Sequence, residues 1–178
     1  KGIKPIAGAE INHVRDSSSH NEHANLTLIA KNQLGYKNLI KLISKSQIAG
    51  KTSGIPVIET EWLAEHSDGL IALSGGFRGH IGKAVLDTNH DLFLKRIKYF
   101  QKVFKEDFIL EISRINRPQE DLYNDYILSK AGELGLPVIA SNEVRFIDKE
   151  DFEAHETRVC IQKGEVLSDA RRTRNYFE

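Results

Sequence analysis

The sequence contains no methionine and very little cysteine, tryptophan or proline. Its 178 residues include a single cysteine, Cys160, and this count excludes an intrachain disulfide framework. A chain without structural disulfides suits a reducing cytoplasm, which is where we expect this protein to reside. Because methionine is absent, we do not expect Lys1 to be a natural start, and we expect the sequence to be a fragment of a longer protein.

An excess of charge of either sign is missing as well. Lysine plus arginine number 25, and aspartate plus glutamate also number 25, so the formal net charge is zero. A neutral chain gives no electrostatic reason to wrap nucleic acid, although a local basic patch remains open. No apolar run reaches the roughly 18 residues of a membrane span and no signal peptide opens the chain, so we expect no membrane partner.

Short apolar strands alternate with amphipathic helices along the chain. Strands are expected at residues 6–14, 26–30, 70–73, 108–112 and 137–140. Helices are expected near residues 36–50, 60–63, 80–86, 92–104, 119–134 and after Asp148. This alternation is typical of an α/β fold in which crossover helices join parallel strands. An open doubly wound sheet and a barrel lacking its first units both fit, and periodicity does not separate them.

Residues 137–164 combine a buried strand, a polar turn and a helix that begins with acidic residues. Asp148 is predicted to be the N-cap, with Glu150 and Asp151 in the first turn, where the helix dipole favours negative charge. The polar residues 141–145 directly follow the strand, at the end where α/β barrels present their functional side chains. This turn is therefore where the chain would carry a site.

Five segments carry a family resemblance when they are read in order. They are residues 4–10, 26–42, 65–75, 154–156 and 174–176, and the tract AKNQLGYKNL within the second is the most diagnostic. Together they resemble the PHP (polymerase and histidinol phosphatase) domain family, in the form found in alpha subunits of proteobacterial DNA polymerase III. The resemblance implies a distorted seven-stranded (βα) barrel whose N-terminal units are missing from this fragment. Residues 1–178 would be a partial PHP domain, with residues 170–178 as an exit segment toward a polymerase palm domain.

The resemblance also implies which residues would hold metal. Active PHP domains bind a metal cluster at the C-terminal ends of the strands through histidine, aspartate, glutamate and sometimes cysteine. The matching positions in this sequence are Glu10, Asn25, Gly76, Ile115, Glu143 and Arg145. Gly76 and Ile115 offer no donor atom, and Arg145 is a permanent cation that would instead pair with Glu10 or Glu143. We therefore expect no metal, no catalytic residue and no cofactor in this fragment.

The remaining polar residues receive simpler interpretations. The basic residues that could contact DNA or the adjoining polymerase domain are Lys163, Arg171, Arg172 and Arg174. The histidines expected near or in solvent are His13, His20, His23, His80 and His90. His155 and Cys160 are expected to pack inside the fold. The glycines at 75–79 predict a tight turn from strand to helix rather than a phosphate cradle.

For function, the resemblance implies a parent protein that is a DNA-directed DNA polymerase. Its magnesium would be bound in a palm domain outside this sequence. The fragment would be a catalytically inactive scaffold and a docking surface for the proofreading exonuclease subunit, with contacts to other polymerase III subunits and to DNA through the parent. One alternative is a metal-dependent phosphoesterase, either a 3′–5′ exonuclease or a pyrophosphatase, which the missing ligands oppose. Another is a small-molecule phosphatase related to histidinol phosphatase, which the LGYKNL and RRTRNY tracts disfavour.

Overall fold

The computed structural model describes residues 2–14, 23–52, 54–169 and 171–172. The strands are β1 (Gly8–Val14), β2 (His23–Ala30), β3 (Lys51–Thr52), β4 (Ile55–Pro56), β5 (Ile58–Glu59), β6 (Leu70–Leu73), β7 (Phe108–Ile112) and β8 (Val138–Ala140). The α-helices are α1 (Gln33–Ile48), α2 (Thr60–Glu65), α3 (His80–Leu86), α4 (His90–Phe104), α5 (Glu120–Leu134) and α6 (Phe152–Lys163). Short 3₁₀ turns cover Gly76–Arg78, Lys105–Asp107 and Lys149–Asp151.

Within these described residues, six strands form one mixed sheet in the order β5-β1-β2-β6-β7-β8. Neighbouring strands run parallel in the pairs β5–β1, β6–β7 and β7–β8, but β2 runs antiparallel to both β1 and β6. The expectation of parallel strands is therefore wrong for β2 and confirmed for the other strand pairs of this sheet. Only residues 15–22 lie between β1 and β2, and a parallel crossover needs about a dozen residues or more.

The α/β class and the order of strands and helices agree with the sequence analysis. The sheet of the described residues is open rather than closed, as expected of a barrel-like fragment. Two short features were not among the expected strands: β5 at the sheet edge, and the ribbon of β3 and β4. Strands of two residues are too short for a periodic pattern to reveal them.

The core lies around the central strands β2, β6 and β7. Leu28, Ala72, Phe108 and Leu110 have no exposed surface, and the same cluster includes aromatic residues of α4 such as Phe93. Edge strand β8 differs, because Ile139 at its centre is 39% exposed. No helix in the described ranges combines the length and the apolar composition that a membrane crossing requires.

Capping residues explain where several helices begin and end. The Asn32 side chain accepts a hydrogen bond from the Gly35 amide at the start of α1, and Asn89 does the same for α4. Asp148 is the N-cap of the turn leading into α6, as predicted, with Glu150 and Asp151 in the first turn. Gly135 ends α5 with a φ of +64°, a conformation that glycine adopts without steric cost.

Two histidines lie deeper in the fold than the sequence suggests. His13 is fully buried on the inward side of β1, and His80 at the start of α3 is 4% exposed, so the expectation of exposure is wrong for both. The two rings pack edge to face at 5.1 Å, and a His80 ring nitrogen lies 3.0 Å from the His13 carbonyl oxygen. His155 and Cys160 are buried as expected, whereas His20 lies outside the described residues.

Candidate functional site

A polar cleft of about 330 Å³ opens where β6, β7 and β8 end. Parallel strands deliver their C-terminal residues to one edge of a sheet, so the segments that follow these three strands meet there. Five of the six positions singled out from the sequence line the cleft: Glu10, Asn25, Gly76, Glu143 and Arg145. Ile115 does not line it, and its backbone amide donates to the Glu120 carboxylate at 2.8 Å instead.

The turn after β6 forms one wall of the cleft. Gly75 has a φ of +76°, and a Cβ atom there would lie 2.0 Å from the Asn25 carbonyl oxygen, so only glycine fits. The Gly75 amide donates to the Glu111 carboxylate at 2.7 Å. The glycine cluster is thus a tight strand-to-helix turn, and this backbone donor is already engaged by a carboxylate of the same chain.

Glu111, near the end of β7, joins the ends of three strands. Its side chain is buried and accepts hydrogen bonds from the Gly75 amide after β6 and from the Ser141 hydroxyl after β8, the latter at 2.8 Å. Its backbone amide donates to the Ser74 hydroxyl at 2.9 Å, and its carbonyl accepts from the Tyr123 hydroxyl at 2.8 Å. Burial raises the pKa of Tyr123 above its ordinary value, so this hydroxyl stays a donor.

Glu143, beyond β8, is surrounded by three arginines from three different segments. Its carboxylate lies 2.8 Å from Arg117, 3.3 Å from Arg78 and 3.8 Å from Arg145. Arg117 is the least exposed of the three and also lies over the Phe77 ring at 5.2 Å. The cluster therefore links the segments that follow β6, β7 and β8 through charge.

Glu10 and Asn25 form the third polar contact of the cleft. They lie on the antiparallel strands β1 and β2, where Glu10 is opposite Thr27 and Asn12 is opposite Asn25. The Asn25 side-chain amide donates a hydrogen bond to the Glu10 carboxylate. An amide at this position satisfies a carboxylate, whereas an imidazole at the same place would offer a metal a nitrogen ligand.

The residues of the cleft do not fit a metal cluster. Each of its three carboxylates already has donors within the chain. Glu10 accepts from an amide side chain, Glu111 accepts from a backbone amide and a hydroxyl, and Glu143 accepts from arginine. Nowhere in the described ranges do three or more histidine, cysteine, aspartate or glutamate side chains gather as a metal site requires. Divalent metals need several free anionic or imidazole donors, and three guanidinium groups occupy this space instead.

The basic residues near the C-terminus lie in different environments. Lys163 is exposed at the end of α6, and the Arg171 side chain is 90% exposed and 3.0 Å from Asp169. The Arg172 side chain is 7% exposed and pairs with the buried carboxylate of Glu156 at 2.5 Å, which raises the pKa of Arg172. Arg172 therefore forms its ion pair inside the described part of the fold, whereas the Arg171 side chain is exposed. Arg174 and the rest of the exit segment beyond residue 172 lie outside the described residues.

Sequence reasoning missed the residues that neutralise the cleft. These are Arg78 and Arg117, together with the carboxylate of Glu111, whereas Ser141 lies in the turn of residues 141–145 where a site was predicted. One signal was present in the sequence: a glutamate inside the apolar strand FILEI is unusual unless its carboxylate is satisfied within the fold. Arg78 and Arg117 each follow a strand within a few residues, but no periodicity indicates that their side chains converge on Glu143.

This architecture, a mixed α/β sheet with a polar cleft at the ends of its parallel strands, defines a class of proteins that place their sites at that edge. Comparison with known families identifies the family within this class. The PHP domain family matches residues 1–115, and the chain belongs to this family.

Comparison with curated proteins shows which members of the family the chain is similar to. The chain is 45% identical over 175 residues to the DNA polymerase III subunit alpha of Vibrio cholerae, and 43% identical over 175 residues to that of Escherichia coli K12. It is 41% identical over 177 residues to the same subunit of Pseudomonas aeruginosa. These alignments cover 98–99% of the chain but only 15% of each relative. The resemblance proposed from the five sequence segments is thereby confirmed.

Proposed function

We propose that this chain is part of the alpha subunit of a bacterial DNA polymerase III, and that its parent is a DNA-directed DNA polymerase of the cytoplasm. Identity of 41–45% over nearly the whole chain supports this assignment. The chain spans 15% of those relatives, so polymerisation and its magnesium are expected in other parts of the parent. DNA would be bound by the parent protein that contains this chain.

For the chain itself we infer a structural role instead of a catalytic one. The observation that carries this inference is the engagement of every carboxylate lining the cleft by donors of the same chain. Phosphoester hydrolysis by a metal centre needs a Lewis acid and an activated water, and both need free ligands. Arginines that hold Glu143 fix the strand ends as a metal cluster would, without supplying a nucleophile.

A rigid domain of this kind is suited to carry partners. We propose that it is a docking surface for the proofreading exonuclease subunit, and that other polymerase III subunits bind the parent as well. In this arrangement the separate exonuclease would hydrolyse mismatched ends, and the domain itself would need no metal for that step.

The decisive experiment uses the full-length polymerase that contains this chain. Metal content is measured by plasma mass spectrometry, and hydrolysis is assayed on a mismatched primer and on pyrophosphate. We expect no stoichiometric metal and no cleavage. Bound zinc or manganese together with cleavage would establish the rival phosphoesterase function.

A gain-of-function variant adds a stricter test of the same proposal. Arg145→His combined with Asn25→His restores two imidazoles to the cleft. We expect no phosphate release from this variant, because Gly76 still supplies no donor atom and Ile115 lies outside the cleft. Release of phosphate would show that fewer ligands suffice than the donor set of the cleft suggests.

A further inference from the structure

After α6 the chain turns back toward the helix it has just left. Gly164 ends α6 with a φ of +68°, and the Glu165 amide donates to a carbonyl oxygen of the helix at 2.9 Å. Further along, the Arg172 side chain reaches Glu156, which lies in the first half of α6. We name residues 164–172 the α6 strap.

Apolar packing contributes little to the position of the α6 strap. Among its described residues, Val166 is 65% exposed and Leu167 is only partly buried. A cavity of about 440 Å³ lies against the strap, and the residues that line it in the described chain all belong to the strap. A closely packed element would leave no such space. Burial of apolar surface is therefore a minor source of free energy for docking the strap.

The strap closes its turns with hydrogen bonds of its own. The Asp169 amide donates to the Val166 carbonyl oxygen at 3.0 Å, and the Arg172 amide donates to the Asp169 carbonyl oxygen at 3.3 Å. The Arg171 side chain is 90% exposed, and its ion pair with Asp169 also lies within the strap. These contacts shape the strap without attaching it to the helix.

Beyond the end of the helix, one ion pair among the described residues attaches the strap to α6. The Arg172 side chain is 7% exposed and the Glu156 side chain is 2% exposed, and their Nη1 and Oε2 atoms lie 2.5 Å apart. The other carboxylate oxygen of Glu156 lies 3.6 Å from the His155 ring. The Arg172 Nε donates to the Leu167 carbonyl oxygen at 3.2 Å, so the guanidinium is also tied to the strap backbone. The pair is charge-assisted and shielded from water.

Burial makes this pair sensitive to the loss of either partner. Water solvates a guanidinium without its carboxylate far better than the fold does, and the same holds for a carboxylate without its guanidinium. Because little else holds the strap, undocking of the strap relieves such a loss without unfolding of the domain. The exposed pair of Arg171 and Asp169 has no such effect, since water solvates both of its members.

From these observations we propose that the α6 strap is a conformational latch, which opens and closes as one unit while the sheet stays folded. Arg172 closes the latch on Glu156. The closed latch fixes the point from which the chain continues beyond the strap, and the open latch releases that point. A segment of low local stability on a stable domain is where such opening is expected. The latch requires only the geometry of α6 and the strap, and not the function proposed above.

Hydrogen exchange of the full-length protein that contains this chain, followed by mass spectrometry, measures the opening. The latch variants are Glu156→Gln, Arg172→Gln and the two combined, and the matched control is Arg171→Gln, which removes the neighbouring exposed arginine. We expect each single latch variant to lower the protection of peptides from residues 165–172 by about tenfold or more. The control should change this protection by less than about twofold, and peptides from β7 should be unaffected in every variant.

The combined variant decides whether the two residues act as one latch. If Glu156 and Arg172 hold the strap only through each other, the combined variant lowers protection no more than either single variant does. Effects that multiply would mean two independent contributions and would overturn the latch. Thermal melting of each variant checks that the domain is folded.

Three other results would also overturn the proposal. Unchanged protection of the strap in both single variants would show that other contacts hold it. An equal loss of protection in β7 would mean that the ion pair supports the whole fold rather than a separate unit. A loss of the same size in the Arg171→Gln control would assign the effect to the surface charge of the strap.

Discussion

The ends of β7 and β8 deliver neighbouring carboxylates to one cleft and satisfy them by different means. Glu111 lies near the end of the central strand β7, and its partners are a backbone amide and a serine hydroxyl held at 2.7 and 2.8 Å. Glu143 follows the exposed edge strand, and its partners are three long arginine side chains. Deep in the fold, short fixed donors neutralise a carboxylate, whereas at the edge flexible cations do so.

The strands that lead to these two carboxylates also differ in how deeply they are buried. Phe108 of β7 has no exposed surface, and Ile139 of β8 is 39% exposed. We expect Phe108→Ala to lower the free energy of unfolding by about 3–5 kcal/mol through lost burial and a cavity. The matched change Ile139→Ala should cost about 1 kcal/mol, since that side chain is already partly in water. Urea denaturation of both variants measures the gap, and equal losses would mean that β8 is covered in solution.

The second largest effect is expected at Glu111. Glu111→Ala leaves the Gly75 amide and the Ser141 hydroxyl without their acceptor inside the fold, and unsatisfied buried donors of this kind cost about 2–4 kcal/mol in total. Because these partners are not ions, the loss should be nearly independent of salt. Denaturation at low and high sodium chloride concentration checks both statements, and a loss that shrinks with salt would count against them.

Unfolding at alkaline pH tests the hydrogen bond from the Tyr123 hydroxyl to the Glu111 carbonyl oxygen of β7. Burial raises the pKa of Tyr123 above its ordinary value near 10, so the folded state retains a proton that the unfolded state releases. The associated stability is therefore fully present below about pH 10 and declines as pH rises toward the folded-state pKa. Tyr123→Phe should cost about 1 kcal/mol at neutral pH and make the alkaline decline shallower. An identical pH profile for the two proteins would contradict this assignment.

An effect as small as that of Tyr123→Phe is expected at Glu143. Glu143→Ala should cost about 1 kcal/mol, because the arginines it leaves are partly exposed and solvent screens their repulsion. Added salt should reduce this deficit further, the opposite of the salt-independent loss at Glu111. If Glu143→Ala proves as costly as Glu111→Ala at high salt, charge at the cleft is less screened than its exposure indicates.

Much of this arrangement could be predicted from residue patterns. The apolar strands, the helix caps at Asp148 and Gly135, and the burial of Cys160 follow from local rules of periodicity and capping. That Gly76 offers no ligand atom follows from the identity of the residue alone. The antiparallel direction of β2 could not be predicted in this way, because sequence patterns mark strands without giving their direction.

The sequence by itself determined an α/β domain, its PHP family and the absence of ligand atoms in the side chains of Gly76 and Ile115, because side-chain chemistry and spacing are local properties. Only the tertiary structure decided that His13 is buried, that Arg172 pairs inward with Glu156, and that Arg78 and Arg117 reach Glu143. These contacts join residues far apart in the chain. They depend on how the strand ends are brought together, and no local pattern encodes that.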